Sequence, residues 1–231
     1  MNIFILGRKY QGKSTLATSE ALRIREETGA YKVLVFDPKW QTRIFPAYHK
    51  IENFKFNLHN DDSDGITFQA GSNFGDEQDD SEQVQDDFTL FCRAIGVESH
   101  LRYPPERPII IVIDEAYYLQ GKGYLHPWLG RMIRLATEGK LYIIQAGHRP
   151  VDLTPDVRGK GDIFFFFRQT DFTDLRVVQE IAGENAAIIV ESLPQHHALR
   201  YDVNRQTFEV LDNPTEWFIN ISERQKEYAR S

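Results

Sequence analysis

The chain has 231 residues, 41% of them hydrophobic, with 27 Lys plus Arg against 34 Asp plus Glu and a formal net charge of −7. Those figures suit one α/β domain, spanning 1–231, with a sizeable core. The lone Cys92 argues against a disulfide framework and for a reducing compartment; no apolar run approaches a membrane span, and the start MNIFILGRK is too short for a secretory signal, so a soluble protein is expected.

In chain order, the first element is a short strand over Asn2 to Leu6, followed by GRKYQGKST and a helix from Lys13 to Arg25. The spacing G-x-x-x-x-G-K-S after a strand and before a helix is that of a phosphate-binding loop. Gly7 and Gly12 let successive backbone N–H groups turn inward on an anion, Lys13 reaches β/γ oxygens, and Ser14 offers a hydroxyl to Mg²⁺. The positive end of the helix faces the same anion. The candidate nucleotide-binding set is therefore Gly7, Arg8, Lys9, Tyr10, Gln11, Gly12, Lys13, Ser14 and Thr15, with Lys13 also a catalytic candidate.

A second strand is expected at Lys32 to Phe36. The charge then becomes lopsided: between Asp61 and Asp87 lie ten carboxylates and no Lys or Arg, and without them the balance is 27 basic to 24 acidic. This acidic insertion, about 60–88, is rich in Gly, Ser and Asn and reads as mostly solvated surface loop. A calcium loop is a weak alternative, since DDSDG lacks the rest of a twelve-residue ligand pattern. A helix from Asp86 to Ala94 leads towards RPIIIVIDEAYYL, whose run Ile109 to Ile113 fits a strand buried on both faces of a parallel sheet.

The acids Asp114 and Glu115 would emerge at the C-terminal edge of that strand, where open α/β sheets bind ligands. Asp114 would hold Mg²⁺ and Glu115 would polarise a water for attack on the γ-phosphate. A plain N-cap for the following helix is the competing role for the pair. The rest alternates: a helix at Leu129 to Glu138, strands in KLYIIQAG and DIFFFFRQ, a helix around Thr173 to Ala182, then AAIIVES and a hairpin turning at Asn204, with a C-terminal hairpin and tail over about 186–231. Alternating β and α segments imply a mainly parallel sheet between helices with an antiparallel C-terminal hairpin.

Over roughly residues 1–180, the order GRKYQGKST, Asp37 ending the second strand, IIIVIDEA, QAGHRPVDL and IFFFFRQ resembles the FtsK–HerA superfamily of DNA-translocating ATPases. Within it, small chains of this kind resemble the genome-packaging ATPases of tailless viruses with an internal membrane. The resemblance implies an ASCE-type, RecA-like P-loop fold, Mg²⁺-dependent hydrolysis of ATP, and non-sequence-specific double-stranded DNA as a partner. It also implies a homo-oligomeric ring, generally a hexamer, a capsid or membrane portal protein as a docking partner, and a place in the host cytoplasm or on the virion.

Two departures from the family pattern stand out. The sensor strand commonly ends in Thr-Gln-Arg-Pro; here it ends in Gly147-His148-Arg149-Pro150, so sensing falls on His148 or Gln145. Thr137 and Glu138 occupy the place where the family puts an arginine acting on a neighbour's nucleotide. Arg131, Arg134, Arg149 and Arg158 are the nominees, with Arg134 and Arg149 preferred. The stretch YYLQGKGYLH, Tyr117 to His126, joins glycines, Lys122 and aromatics behind the Asp-Glu strand and is a candidate DNA loop, though an ordinary flexible loop fits it as well.

Absent motifs narrow the class. Neither N-K-x-D nor D-x-x-G of a GTPase occurs, nor an L-S-G-G-Q-like ABC signature, and a small-molecule kinase seldom needs the Asp-Glu pair. The remaining alternative is a P-loop ATPase of phage assembly or protein secretion that moves no DNA.

Overall fold

The computed structural model describes residues 1–39, 44–70, 81–97, 107–121, 123–139 and 141–212. Among these, β1 (Asn2–Leu6), β2 (Val33–Asp37), β3 (Ala47–Tyr48), β4 (Gly65–Gln69), β5 (Ile109–Ile113), β8 (Leu141–Gly147), β9 (Ile163–Phe167), β10 (Ala198–Asp202) and β11 (Thr207–Leu211) form one nine-stranded sheet; β6 (Gln120–Gly121) and β7 (Tyr124–Leu125) form a separate small hairpin. The sheet order is β11-β10-β9-β1-β8-β5-β2-β4-β3. The pairings from β9 across to β3 are parallel, and β10 and β11 complete the sheet antiparallel.

The helices are α1 (Lys13–Thr28), α2 (Ile51–Asn60), α3 (Ser81–Ala94), α4 (Pro127–Thr137), α5 (Pro155–Arg158), α6 (Phe172–Ala182) and α7 (Glu184–Ser192). Because the central strands are covered on both sides, they read as continuous apolar runs rather than alternating ones: every residue of β1, β2, β5 and β9 is buried. One face packs Ile3, Ile5, Val33, Val35, Ile110, Val112 and Phe165 with α1 residues Leu16, Ala17, Ala21 and Ile24. The other packs Phe4, Phe36, Phe68 and Ile111 with residues of α2, α3 and α4. On that side Phe36 meets Phe88 and Phe91 at ring-centroid distances of 5.0 and 5.5 Å, and Phe54 meets Phe68 and Phe91 at 5.5 Å each. Full burial of such a ring is worth roughly 1.5–3 kcal/mol, so this cluster anchors α2 and α3 to the sheet.

Two expectations need correction. Among its described residues the acidic segment is not mostly surface loop: β4 runs through it, with all five residues buried and parallel to β2. Its core residues are Ile66 and Phe68, which a composition dominated by flanking carboxylates conceals. The helix after it starts at Ser81, five residues before the expected Asp86, and buries Val84, Phe88, Phe91 and Cys92; residues 71–80 of the insertion lie outside the described residues. The second correction concerns the C-terminal region assigned to about 186–231. Its first part, AAIIVES, belongs to α7, which buries Ala186 and Val190; the hairpin itself is β10–β11, with the turn at 203–206 as expected. The tail from 213 lies outside the described residues.

Candidate nucleotide site

One strand order decides where the site lies. β1, which leads into the candidate phosphate loop, is separated from β5, which delivers Asp114 and Glu115, by β8 alone. Leu6 is level with Gly147, and Ile113 with Gln145, so the loop, the acid pair and the end of β8 emerge together at the C-terminal edge of the parallel strands.

The two loop glycines are required for different reasons. At Gly12, which precedes α1, φ is +94°, a left-handed conformation that favours glycine. Gly7 is held by space: a Cβ there would lie 2.6 Å from Phe167 Cβ and from Gln11 Oε1. Tyr10 also has positive φ, at 63°, and is 88% exposed at the mouth of the cleft. No side chain caps the N-terminus of α1, and its first turn carries no acidic residue, so its N–H groups remain available to an anion. A cleft of about 470 Å³ opens over Gly12, Lys13, Ser14 and Thr15, with Lys9, Tyr10, Lys39 and Glu115 around it.

Lys13 Nζ donates to the loop's own Arg8 carbonyl at 2.9 Å. Burial lowers the Lys13 pKa, against the opposing pull of Glu115 and Asp114. Arg8 and Gln11 reach to the segment after β9 and tie the loop to it: Arg8 donates to Thr170 Oγ1, and Gln11 Nε2 donates to the Arg168 carbonyl at 3.2 Å.

Ser14 Oγ donates to Asp114 Oδ2 at 2.8 Å, joining the first turn of α1 to the end of β5. Asp114 is 2% exposed, and burial, then Asp37, then Glu115 push its pKa up to about 7, against the hydrogen bonds it accepts from Ser14 and the Glu115 N–H. A desolvated carboxylate among other carboxylates, beside a hydroxyl, fits a divalent cation. Mg²⁺ is commonly held by one or two carboxylates with phosphate oxygens and water. Ser14 and Asp114 would hold it here.

This environment predicts an opposite pair of effects for Asp114→Asn. The folded chain keeps a proton up to about pH 7 that the unfolded chain loses near the ordinary 3.8, so stability falls as pH rises between those values. Removing the charge should raise the unfolding midpoint at pH 8, measured without Mg²⁺ or nucleotide, while weakening Mg²⁺-dependent nucleotide binding. A lower midpoint at pH 8 would contradict the burial argument.

Glu115 takes a left-handed backbone conformation, φ 50°, that turns its side chain back into the site. One carboxylate oxygen accepts from Lys39 Nζ at 3.0 Å, and the other is hydrogen-bonded to His148 Nε2. Burial works to raise its pKa, but His148 and then Lys39 outweigh it, and the carboxyl sits below the usual range. His148 packs edge-on against Tyr117, with centroids 4.8 Å apart. The Asp-Glu pair is not a simple helix cap: the turn over Ala116–Tyr118 receives no side-chain cap from Glu115.

The two sensor candidates separate in space. His148 is bonded to Glu115. Gln145 is 1% exposed, and its Oε1 accepts from Gln120 Nε2 at 3.2 Å, which ties β8 to the β6–β7 hairpin. That hairpin lies within the Tyr117-to-His126 stretch: Gln120–Gly121 pairs with Tyr124–Leu125, Tyr117 packs on the site from the preceding turn, and Lys122 lies outside the described residues.

The arginines are dispersed. Arg149 pairs with Asp171 at 3.0 Å and with Asp174 at 2.9 Å, and Arg158 with Glu180 at 2.9 Å, all within the chain. Arg131 lies 5.9 Å from the Trp128 ring centroid, and Arg134 is exposed one turn further along α4. Asn2 Nδ2 donates to the Ile133 carbonyl, and the N-terminal ammonium to the Ala136 carbonyl. Arg134 therefore sits by the start of β1, a strand length or ~16 Å from its own phosphate loop. Two residues of the cluster were missed by motif reasoning. Lys39 follows Asp37 in FDPK, where a lysine just past a strand's C-terminal end was the available signal; Gln120 carried none.

The chain has a P-loop ATPase fold of the RecA-like type, with β8 between β1 and the strand β5 that ends in the Asp-Glu pair. Solved structures with the same architecture include the genome packaging NTPase B204 from Sulfolobus turreted icosahedral virus 2 in complex with ATPγS (TM-score 0.69, 21% identity, over 92% of this chain and 96% of that one). B204, the DNA-packaging ATPase from Sulfolobus turreted icosahedral virus, aligns with a TM-score of 0.64 at 20% identity over 92% and 97%. VirB4 of Thermoanaerobacter pseudethanolicus aligns with a TM-score of 0.59 at 12% identity over 91% and 88%. No family model matches the chain, and no curated protein matches its sequence. The resemblance to FtsK–HerA ATPases is thus borne out at the level of the fold.

Proposed function

We propose that this chain is an ATP-driven motor that translocates double-stranded DNA, packaging a viral genome into a preformed capsid. The observation that carries the ATPase reading is the meeting of Lys13, Ser14, Asp114, Glu115 and His148 at one sheet edge. The DNA reading is supported by the likeness of the whole described fold to the packaging NTPases.

Lys13 and the loop N–H groups bind the β- and γ-phosphates. Glu115 takes a proton from water as the water oxygen bonds to Pγ. The bond from Pγ to the bridging oxygen breaks, ADP leaves with the electron pair, and phosphate is released. Mg²⁺ on Ser14 and Asp114 would offset the charge of the β/γ oxygens. His148, bonded to Glu115, is the better placed of the two sensor candidates. A homo-oligomeric ring, read as a hexamer, would bring an arginine of one protomer to the next one's nucleotide. Arg134 suits this role because it lies far from its own site and is exposed, whereas Arg149 would first have to leave Asp171 and Asp174. A capsid or membrane portal protein would dock the ring, in the host cytoplasm or on the virion. Among the described residues, no helix is long and apolar enough to cross a membrane.

ATP turnover measured with and without double-stranded DNA tests this function. Stimulation is expected, shrinking steeply as salt rises, because the grip on DNA must be made through phosphates. Turnover that ignores DNA at low salt would instead favour an assembly or secretion ATPase.

A further inference from the structure

Lys39 is placed to do more than neutralise a neighbour. Its backbone is fixed at the end of β2, where its N–H donates to Asp37 Oδ1 at 3.0 Å, and β2 is the strand beside β5. From there the side chain crosses to Glu115 and also borders the cleft over Gly12, Lys13 and Ser14. Its Nζ lies 5.4 Å from the Tyr117 ring centroid and 6.0 Å from that of Tyr118, so two aromatic rings hold the cation at the cleft wall.

With Lys39 on one oxygen and His148 on the other, both carboxylate oxygens of Glu115 are engaged. Each oxygen keeps a further lone pair, but an ammonium group held against the carboxylate favours its ionised form and makes it a weaker base towards a water proton. A γ-phosphate entering the cleft brings more negative charge to the same ammonium group than a single carboxylate does, and a lysine is a flexible point charge that can change partners.

We propose that Lys39 is a γ-phosphate ligand that clamps Glu115 until the phosphate takes its place, so that the carboxylate is released to the attacking water only when a triphosphate is bound. The inference rests on the ATPase reading above. It makes Lys39 a discriminator between triphosphate and diphosphate, and it makes Glu115 a competitor for Lys39.

The test is equilibrium binding of ADP and of the non-hydrolysable triphosphate AMPPNP, with Mg²⁺, to the full chain and to Lys39→Met, Lys39→Arg, Glu115→Gln and the Lys39→Met/Glu115→Gln double variant. Loss of one charge-assisted contact should weaken AMPPNP binding to Lys39→Met roughly 10- to 100-fold and leave ADP within about twofold of native. Lys39→Arg, which keeps the cation, should retain the preference for triphosphate. Glu115→Gln should bind AMPPNP several-fold more tightly than the native chain, and that gain should vanish in the double variant. Native AMPPNP affinity in Lys39→Met overturns the inference, and so does a gain from Glu115→Gln that persists without Lys39, since simple charge repulsion would then explain it. A native chain that binds neither nucleotide overturns the ATPase reading itself. If Lys39→Met does not fold, Lys39→Gln, which can still hydrogen-bond to Glu115, carries the same expectations.

Discussion

Glu115→Gln should bind ATP and hydrolyse it roughly 10²–10⁴-fold more slowly, the usual range for loss of a general base. The substitution is close to isosteric. The amide oxygen can still accept from Lys39 Nζ, but without the negative charge that lets Glu115 compete for that cation, and the amide nitrogen can face His148 Nε2, so the side chain keeps its place. What disappears is the capacity to take up a proton. Single-turnover hydrolysis alongside nucleotide binding separates the two properties. Turnover at the native rate in the folded variant would assign water activation to a different residue.

Lys13→Ala should abolish productive ATP binding or turnover. The side chain is the cation at the first position of α1, and its removal leaves the loop N–H groups to hold the β/γ-phosphates alone. The fold should survive, because the one hydrogen bond lost is to the Arg8 carbonyl on a partly exposed loop. Normal ATPase activity in a folded Lys13→Ala protein would sink the phosphate-loop assignment. The same variant also probes the ring. Mixed with Arg134→Ala, it contributes intact arginines to protomers with sound loops, and partial recovery of turnover is expected if the site is shared. Mixing that never restores activity, for Arg134 or for the other nominated arginines, would mean that no arginine among those named acts across the interface.

The strongest sequence signals were those in which local backbone geometry and burial agree. β5 begins and ends where its apolar run does, and β1 ends with its run and adds only the buried Asn2 before it, because a strand covered on both faces needs a near-continuous run of apolar side chains. β4 was hidden because its apolar residues number few against the ten carboxylates around it, and its place depends on pairing with β2 rather than on its own composition. α2 was passed over for a related reason: its seat is made by Phe54 packing on Phe68 and Phe91, contacts between segments far apart in sequence.

The same division runs through the site. By itself the sequence determined that a turn with the spacing of a phosphate loop, Gly7 to Gly12, would join a strand to a helix and that Asp114 and Glu115 would stand at a strand end, since both follow from residue types at fixed spacing within one segment. Only the tertiary structure decided that His148 rather than Gln145 meets Glu115, that Lys39 takes its other oxygen, and that Arg149 is already paired while Arg134 stands far from its own loop. Each of these depends on strand order and register. β8 lies between β1 and β5, and β2 lies beside β5; neighbouring residues on one strand point to opposite faces, so a change of a single register position would exchange the partners, and no local spacing in the chain encodes that choice.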